Sequence, residues 1–592
     1  MIVSPTEQYS ARLREREAQL ASFDRVHARI GSARLAIGAS FLITAWLCFG
    51  HYAISPSWLF VPATGFIALV LYHQRVGGLR TRAQRAVELY RAGLRRLEDH
   101  WRGSGPAGEQ FDVQHHIYAA DLDLFGRGGL YELLCAARTQ MGENTLAQWL
   151  LAPADLATIR DRHASVSDLR NRLDLREELA IHGEPARITL HPESLLAWTE
   201  APNRLDHLWI RWSAPLLAGL AVATAVAWAV ADVRFPLFAV LAAEIAVAYF
   251  LKEPVHHAIA AVESAYEDLK GLSRLLNRLE AEQFDAPPLR ALVLKLSSHT
   301  QSASVTFSRL ATIVNFVESR RNPLLAPLLL LLMYPLQTAL AAERWRKAHG
   351  PLIGSWLSVL GEIEALISLA RYAYEHSEQP FPELIEGPAT FKATDLGHPL
   401  IFAAARVCND VDISGRVRAL LVSGSNMSGK STLLRTVGIN TVLAMAGAPV
   451  CARRLQLTPL RIGASIRIND SLHEGSSRFY AEITRLRRLF EPATLPLLFL
   501  LDELLQGTNS ADRLMGARGV IRALIERGAI GLISTHDLAL TDVAGLAPGA
   551  LENVHFRDEL IDGKLTFDFK LHSGVVTHSN GIELMRSIGL DV

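Results

Sequence analysis

The sequence predicts a carboxy-terminal α/β domain with a parallel sheet, preceded by a long helical region that contains two apolar hairpins. Three observations support this fold class. A glycine-rich loop joins a strand-like run to a helical pattern at residues 420–437. Short apolar runs alternate with helical segments from about 391 to 569, which is typical of a parallel sheet. Pairs of apolar stretches interrupt the helical pattern upstream, within 35–72 and 214–251.

Length and composition limit the possible classes of protein. The chain has 592 residues, enough for more than one domain and a large core. Lys plus Arg and Asp plus Glu both number 60, so there is no overall basic excess that would attract nucleic acid, although a local basic face remains compatible. The four cysteines are widely spaced without a C-x-x-C pair, which indicates reduced thiols rather than a disulfide framework or a metal site.

The first apolar hairpin lies in a predicted amino-terminal region, residues 1–110. Its two stretches, about 35–54 and 58–72, contain no Asp, Glu, Lys or Arg, and a turn around Pro56 separates them. Such a pair predicts a membrane hairpin. Arginines flank its outer ends and are absent from the turn, so the positive-inside rule places both ends in the cytoplasm. A mostly polar segment precedes the first stretch, which argues against a secretory signal.

The second apolar hairpin interrupts a predicted helical region, residues 111–390. Its stretches at 214–231 and 235–251 are joined by a tight connection, and Glu244 lies inside the second one. An acid there is costly in contact with lipid, so it is expected to face a neighbouring helix or to be protonated. The alternative is that all four stretches are buried helices of a soluble bundle.

Two further predictions concern the rest of the helical region. Between 253 and about 348, apolar residues recur at helical spacing among charges, which predicts long helices. A third apolar block at 324–336 contains two prolines and is too short to span a membrane, so it is predicted as a core helix.

In the predicted carboxy-terminal domain, residues 391–592, the glycine-rich loop is the first motif that indicates a chemical function. The spacing of Gly424, Gly429 and Lys430 completes a P-loop motif, in which backbone N–H groups surround a phosphate. The lysine would reach the β- and γ-phosphates of a nucleotide, and Ser431 would ligate Mg²⁺. The alternative is a chance glycine turn. The predicted ATP-binding residues are Gly424, Ser425, Asn426, Met427, Ser428, Gly429, Lys430, Ser431 and Thr432.

Two later strands end in polar side chains that complement the loop. A buried run at 497–501 ends in Asp502 and Glu503, which predicts an acid that binds Mg²⁺ and a second acid that polarises the attacking water. The alternative is a pair of acids that cap a helix after a core strand. The run at 530–535 ends before His536, which is predicted to hydrogen-bond the γ-phosphate.

Several of these segments resemble the MutS family. Its distinctive Asn-Met pair stands inside the P-loop, and residues 502–512 resemble its Walker B motif and D-loop. Residues 470–482 resemble its signature loop, and 396–400 resemble the motif at the start of its ATPase domain. Residues 579–584 resemble its dimerising tail, and the likeness continues upstream through about 115–205 and 253–592.

The resemblance implies an ATP- and Mg²⁺-dependent ATPase that works as a homodimer. By that resemblance, Gly475, Ser476 and Ser477 of one subunit would face the nucleotide of the other subunit. The family's stacking aromatic is replaced by the stretch 406–410, in which the Arg406 guanidinium would offer the flat surface instead. No amino-terminal mismatch-reading domain is recognisable, and the family's helical core carries no membrane spans.

The sequence therefore predicts an ATPase of P-loop, MutS type that is anchored in the membrane. It would be multi-pass in a plasma or inner membrane, with both termini and the ATPase domain in the cytoplasm. One hypothesis for its role is a DNA clamp tethered at the membrane, implied by the family alone and without mismatch reading. The alternative is a mechanical ATPase that acts on the membrane or on a partner protein without DNA. An ABC-type exporter fits less well, because four short spans are few for that class.

Overall fold

The computed structural model describes residues 4–50, 54–111, 113, 115–183, 192–202, 205–259, 265–297, 301–318, 329, 331–425, 427–467, 478–506, 509–537, 539–542, 547–561 and 564–576. The chain divides into two compact units. The first comprises Met1–Ser104 and Leu173–Ile181, and the second comprises Gly105–Arg172 and His182–Val592.

The described part of the chain combines many helices with two sheets. The helices are α1 (Pro5–Phe49), α2 (Phe60–Leu97), α3 (Leu130–Leu134), α4 (Gln140–Leu151), α5 (Leu156–Leu169), α6 (Leu173–Gly183), α7 (Pro192–Glu200), α8 (Leu208–Ala231), α9 (Phe235–Phe250), α10 (Lys252–Ile259), α11 (Tyr266–Glu280), α12 (Pro287–Leu296), α13 (Ala303–Glu318), α14 (Tyr334–Glu375), α15 (Lys430–Ala446), α16 (Arg478–Leu489) and α17 (Ser510–Glu526). The strands are β1 (Glu383–Leu384), β2 (Phe391–Leu396), β3 (Asn409–Ile413), β4 (Ala419–Ser423), β5 (Arg454–Leu457), β6 (Arg461–Ser465), β7 (Leu497–Asp502), β8 (Ile530–Thr535), β9 (Leu551–Ile561) and β10 (Lys564–Ser573).

In the first unit, α1 and α2 form a long helical hairpin through a 3-10 turn at Pro56–Leu59. The sequence specifies the start of α1 locally. Ser4 and Glu7 form a capping box, because the side chain of each accepts a hydrogen bond from the backbone N–H of the other. Pro5 follows as the first helical residue, where a missing N–H removes no helical hydrogen bond.

A polar cluster and a close contact hold the polar ends of this hairpin together. The Tyr90 hydroxyl on α2 donates to Glu177 Oε2 on α6 at 2.5 Å, and Arg16 on α1 pairs with the other carboxylate oxygen at 2.8 Å. A Cβ at position 93 would lie 2.7 Å from the ring of Tyr9, so only glycine allows the two helices to approach so closely here.

The apolar ends of the hairpin, which carry the first predicted spans, are exposed. Only 6% of the most apolar 18 residues of α1 are buried, and none in the segment Pro56–Leu97. Trp46, Phe60 and Leu71 expose 60%, 72% and 62% of their surface. Both helical segments are long and apolar enough to cross a membrane. Within this chain, the described side chains therefore do not pack as the core of a soluble bundle would.

The second predicted hairpin consists of α8 and α9 in the second unit. Asp232 ends α8 in the left-handed region (φ +53°), and its carboxylate pairs with Arg234 at 2.9 Å. Only 17% of the most apolar 18 residues of α8 are buried, and α9 meets α10 at a 60° bend. Glu244 on α9 is only 6% exposed, so it faces neighbouring protein, as its cost in lipid predicts.

The longest helix of the second unit, α14, differs from the sequence prediction. Long helices were expected between 253 and 348, but α10 to α13 have at most 16 residues, whereas α14 has 42. Of its most apolar 18 residues, 72% are buried. Most of the predicted core block at 324–336 lies outside the described residues, and α14 begins at Tyr334.

The α/β part contains two sheets, which refines the prediction of one parallel sheet. The larger sheet has six strands in the order β10-β9-β4-β8-β7-β6, and all its pairs are parallel except β9 with β10. The smaller sheet has four strands in the order β1-β5-β2-β3, and β2 pairs antiparallel with both neighbours. The parallel prediction is therefore correct for the pairs among β4 and β6 to β9, and β1 and β5 also pair in parallel. It is wrong for the two pairs that β2 forms and for the closing hairpin of β9 and β10.

Candidate nucleotide-binding site

The predicted P-loop connects β4 to α15, as its spacing requires. Gly424 and Gly429 adopt φ +146° and +102°, which side chains rarely allow. A Cβ on Gly424 would lie 2.7 Å from Ser428 Oγ, so the first glycine is also required by space. Ser428 Oγ donates to the Ser425 carbonyl at 2.8 Å and tightens the turn. Met427 is 75% exposed, and Asn426 lies outside the described residues.

Lys430 lies inside this loop at the start of α15. It is only 3% exposed, and its Nζ donates to the carbonyls of Gly424 and Ser425 at 2.8 Å each. Burial lowers the pKa of Lys430, whereas the nearby carboxylates of Glu503 and Asp502 oppose this change. The ammonium therefore sits where the loop's carbonyls and the acids of the next strands converge.

The acids predicted to act with the loop stand at the same edge of the sheet. Strand β8 lies between β4 and β7, with Ser534 opposite Asp502 in register. The Ser534 hydroxyl donates to Asp502 Oδ1, and the backbone N–H of Glu503 donates to the Ser534 carbonyl at 3.2 Å. Because the carboxyl ends of parallel strands meet at one edge, the loop and both acids face the same crevice.

Glu503 has an unusual backbone conformation and two side-chain partners. Its φ is +52°, in the left-handed region that a non-glycine residue occupies only at a cost of about 1 kcal/mol or more. His536 Nδ1 lies 3.1 Å from its Oε1, and Gln506 Nε2 donates to its Oε2. Leu505 also has a positive φ of +59°. The structure thus brings together Glu503 and His536, the two predicted catalytic residues, at a strained turn.

Phe569 on β10 is a residue that the sequence reading missed. A Cβ on Gly429 would lie 3.3 Å from its ring, so the aromatic stands directly beside the P-loop. The ring is 42% exposed, and the backbone has φ +54° beside a β-bulge. Asn409 fixes this bend, because its side chain donates to the Phe569 carbonyl at 3.0 Å and accepts from the Leu571 N–H at 2.8 Å. The one signal in the sequence was an aromatic pair, Phe567 and Phe569, on a polar strand.

Arg406, the predicted base-stacking residue, is engaged elsewhere. Its guanidinium donates to Cys451 Sγ and to the Ile401 carbonyl, both at 2.9 Å. A Cβ on Gly397 would lie 2.4 Å from Arg406 Cδ, so the arginine stem is tightly packed. Stacking on a nucleotide base would require this side chain to leave these contacts.

The described residues fit ATP with Mg²⁺. The glycine conformations open the loop to a phosphate, and the buried Ser425 Oγ has no hydrogen-bond partner among the described residues. Ser431 in the first turn of α15 and Asp502 at the end of β7 supply the oxygen ligands that Mg²⁺ prefers. Three predicted residues, Gly475, Ser476 and Ser477, lie outside the described residues, as does the tail segment 579–584.

Comparison with known proteins identifies the same part of the chain. Residues 420–591 match the family MutS domain V. Similar proteins include DNA mismatch repair protein MutS 2 of Halobacterium salinarum, 33% identical over 236 residues, which are 39% of this chain and 27% of that protein. Endonuclease MutS2 of Thermus thermophilus is 33% identical over 253 residues, 42% of this chain and 32% of that protein. DNA mismatch repair protein MutS of Brevibacillus brevis is 35% identical over 229 residues, 36% of this chain and 26% of that protein. The chain thus spans about a quarter to a third of the length of these curated relatives.

Proposed function

The chain is a member of the MutS family through its carboxy-terminal domain, and we propose that this domain binds and hydrolyses ATP with Mg²⁺. One observation carries the proposal. The buried Lys430 ammonium lies in a glycine-rich loop at the sheet edge where Asp502 and Glu503 end the strand two positions away. A cation and two carboxylates around one crevice match what phosphoryl transfer requires.

Each side chain at this edge has a role in the proposed reaction. When bound, Mg²⁺ neutralises charge on the β- and γ-phosphates, and Ser431 and Asp502 would hold it. Lys430 exchanges its two carbonyl contacts for phosphate oxygens. Glu503 orients the attacking water and accepts its proton, while His536 holds the Glu503 carboxylate through the 3.1 Å contact. Placing the acid on a strained turn aims it at the crevice rather than along the strand.

We further assign base stacking to Phe569. Its ring is partly exposed beside Gly429, so a purine bound above the loop can lie against its face. Arg406 is held by Cys451 and Ile401, which makes it the weaker candidate for this role.

The active form in this proposal is a homodimer. The support is the resemblance of residues 470–482 to the family's signature loop, in which Gly475, Ser476 and Ser477 would complete the site of the other subunit. Hydrolysis would then depend on closure of two copies, and closure would move the helical part of each copy.

The proposal also anchors the protein in a membrane, with both termini and the ATPase domain in the cytoplasm. The support is the exposure of apolar side chains on α1, α2 and α8, together with arginines at the polar ends of the first hairpin. Burying these side chains in lipid removes a large apolar surface from water.

Two uses of the motion are open to test. The names of the relatives, which include a DNA mismatch repair protein and an endonuclease, support a DNA clamp. The exposed apolar hairpins and the balance of 60 basic and 60 acidic residues favour the second use, a mechanical ATPase that acts on the membrane or a partner.

The experiment compares ATP hydrolysis by the full chain in detergent and in lipid nanodiscs, each with and without DNA duplexes and junctions. We expect Mg²⁺-dependent turnover that Lys430→Ala abolishes together with nucleotide binding, and that Glu503→Gln abolishes while ATP binding remains. Stimulation by DNA that weakens with salt supports the clamp, whereas stimulation by lipid alone supports the mechanical role. Absence of ATP binding by the wild-type chain, or rapid turnover by Glu503→Gln, would refute the proposal.

A further inference from the structure

Asp121 lies in the loop before α3, in the helical part of the chain before β1. Its carboxylate is fully buried and binds residues of the ATPase domain, which begins at about residue 391. It is 0% exposed. Its Oδ1 accepts hydrogen bonds from the backbone N–H groups of Ile466 and Arg467, at 3.0 and 2.6 Å, directly after β6. Its Oδ2 accepts from Arg485 Nη2 on α16. One side chain thus ties the end of a strand to the helix that follows it in the chain.

The same loop also reaches the helix that begins with the P-loop lysine. Arg435 on α15 donates to the Asp121 backbone carbonyl at 2.9 Å and lies 3.8 Å from the carboxylate of Asp123. Asp123 in turn pairs with Arg467 at 2.6 Å. Leu122 lies between these acids and packs so closely on α15 that a Cβ on Gly438 would lie 2.6 Å from it.

Helix α16 carries the connection onward to the catalytic turn. Glu482 precedes Arg485 by one helical turn, and it is only 1% exposed. Its Oε1 accepts a hydrogen bond from the backbone N–H of Leu505 at 2.6 Å. Leu505 and Glu503 are the two residues of this turn with positive φ. Strained residues persist only where their surroundings hold them, and Glu482 is one such support.

We propose that Asp121 is a positioning residue for hydrolysis, which acts through Arg485, α16 and Glu482 on the turn that presents Glu503. The inference rests on the proposed ATPase function. The carboxylate lies in the helical part, so a displacement of that part changes the position of α16, and the Glu503 turn loses its support when α16 shifts. The loop therefore links motion of the helical part to the water-activating acid. Among the described residues, Asp121 forms its hydrogen bonds with residues 435, 466, 467 and 485, not with Lys430, Asp502 or Glu503.

The test uses Asp121→Asn in the full chain. The amide keeps an oxygen for the two backbone N–H groups, but its NH₂ cannot accept from Arg485, so the variant removes one link of the series. Glu343→Gln is the matched control, because it also neutralises a buried carboxylate paired with an arginine, Arg346 at 2.6 Å, within α14. Glu482→Ala and Glu482→Gln probe the next link, since only glutamine retains the acceptor for Leu505.

We expect Asp121→Asn to lower kcat about tenfold or more while the Kd for ATP stays within about twofold, since the acid and not the phosphate loop is displaced. Glu482→Ala is expected to do the same, Glu482→Gln to recover most of the rate, and Glu343→Gln to stay near wild type. The double variant Asp121→Asn with Arg485→Gln should be no slower than the slower single variant, because both substitutions break one link.

Amide hydrogen exchange provides a readout that does not depend on turnover. Exchange in the peptide 497–506 should be faster in Asp121→Asn than in Glu343→Gln. The proposal is overturned by exchange in that peptide that matches the control, by a kcat that matches the control, or by a loss of ATP affinity as large as the loss of kcat. A wild-type chain that fails to hydrolyse ATP would refute the ATPase function instead, and the exchange comparison would still decide the positioning role.

Discussion

Two helical segments of equal length and similar hydropathy differ in how much of their apolar surface is buried. The segment Pro56–Leu97, which contains α2, and the helix α14 both have 42 residues and both pass the length and composition test for a membrane span. None of the most apolar 18 residues of the first segment are buried, but 72% of those of α14 are. Hydropathy indicates how favourable it is to remove the side chains of a segment from water. It does not indicate whether lipid or other parts of the protein then surround them.

The difference lies in the neighbours that each helix has. Among the described residues, α14 packs against α4, α5, α7, α10, α12 and α13, whereas α2 packs chiefly along α1. Close approach to α14 depends on small residues. A Cβ on Gly361 would lie 2.9 Å from the Met141 carbonyl, and one on Gly142 would lie 2.3 Å from Glu364. An apolar helix becomes a core helix when its surface admits other helices on several sides.

The largest expected effect comes from placing a charge on each helix. Leu369 on α14 is 0% exposed and Ile67 on α2 is 58% exposed. In detergent, Leu369→Asp should lower the thermal midpoint by roughly 10 °C or more, because an unpaired charge is buried, whereas Ile67→Asp should change it by less than about 2 °C. Thermal unfolding of the purified variants measures both values.

Leu369→Met is the control for this pair, since it conserves volume and polarity and should cost less than about 1.5 kcal/mol. The comparison also has a membrane arm. Ile67→Asp should reduce the fraction of chain that resists alkaline extraction from membranes, because an acid near the centre of a span opposes insertion by about 3 kcal/mol. If both aspartate variants lower the thermal midpoint in detergent by the same amount, the inferred difference in burial between the two helices is wrong.

Short-range rules predicted much of the candidate site. The P-loop, the acids after β7 and His536 follow from fixed spacing and from strand ends, and the structure places these described residues at one sheet edge. Phe569 was missed because its place depends on a bulge and on a bond from Asn409, far away in the chain. Asp121 lies in the stretch 115–205 that resembles the family, but its partners at 466, 467 and 485 are set by tertiary packing that periodicity does not encode.

The fold could also be predicted only where the signal is local in the sequence. Apolar runs located the helices of both hairpins, since long uninterrupted stretches carry a strong local signal. The length of α14 was missed because Pro351 lies inside it, and a proline usually ends or bends a helix. The antiparallel pairs of the smaller sheet were missed because short strands carry no local record of the direction of their partners.

A second prediction tests the polar side of α14. Glu364 accepts hydrogen bonds from the Arg138 and Thr139 N–H groups, at 3.1 and 3.2 Å, and from the Thr139 hydroxyl. Burial raises the pKa of Glu364 to about 7, although these donors oppose the change. Because the folded pKa lies above the unfolded value of 4.5, the folded state binds the extra proton between these values.

Stability should therefore fall as pH rises from about 4.5 through about 7, by up to about 3 kcal/mol, and should then level off. Glu364→Gln should remove this slope, since glutamine does not titrate, and thermal midpoints across pH 4 to 8 measure it against the wild type. A control is Glu343→Gln, which leaves the Glu364 contribution in place. An unchanged slope in Glu364→Gln would assign the pH dependence to other groups.

The smallest expected effect concerns the hairpin of α1 and α2. Polar contacts with Glu177 join these helices beyond their exposed apolar segments. Tyr90→Phe removes the hydroxyl that donates to Glu177 and leaves the ring in place. The expected loss is about 1 kcal/mol, because Arg16 still pairs with the carboxylate at 2.8 Å. Glu177→Gln should cost more, since it weakens the contacts with both the tyrosine and the arginine. Limited proteolysis at the start of α1 measures local opening. If Tyr90→Phe and Glu177→Gln both leave the cleavage rate unchanged, the polar cluster does not hold the hairpin, and apolar packing of α1 on α2 accounts for it alone.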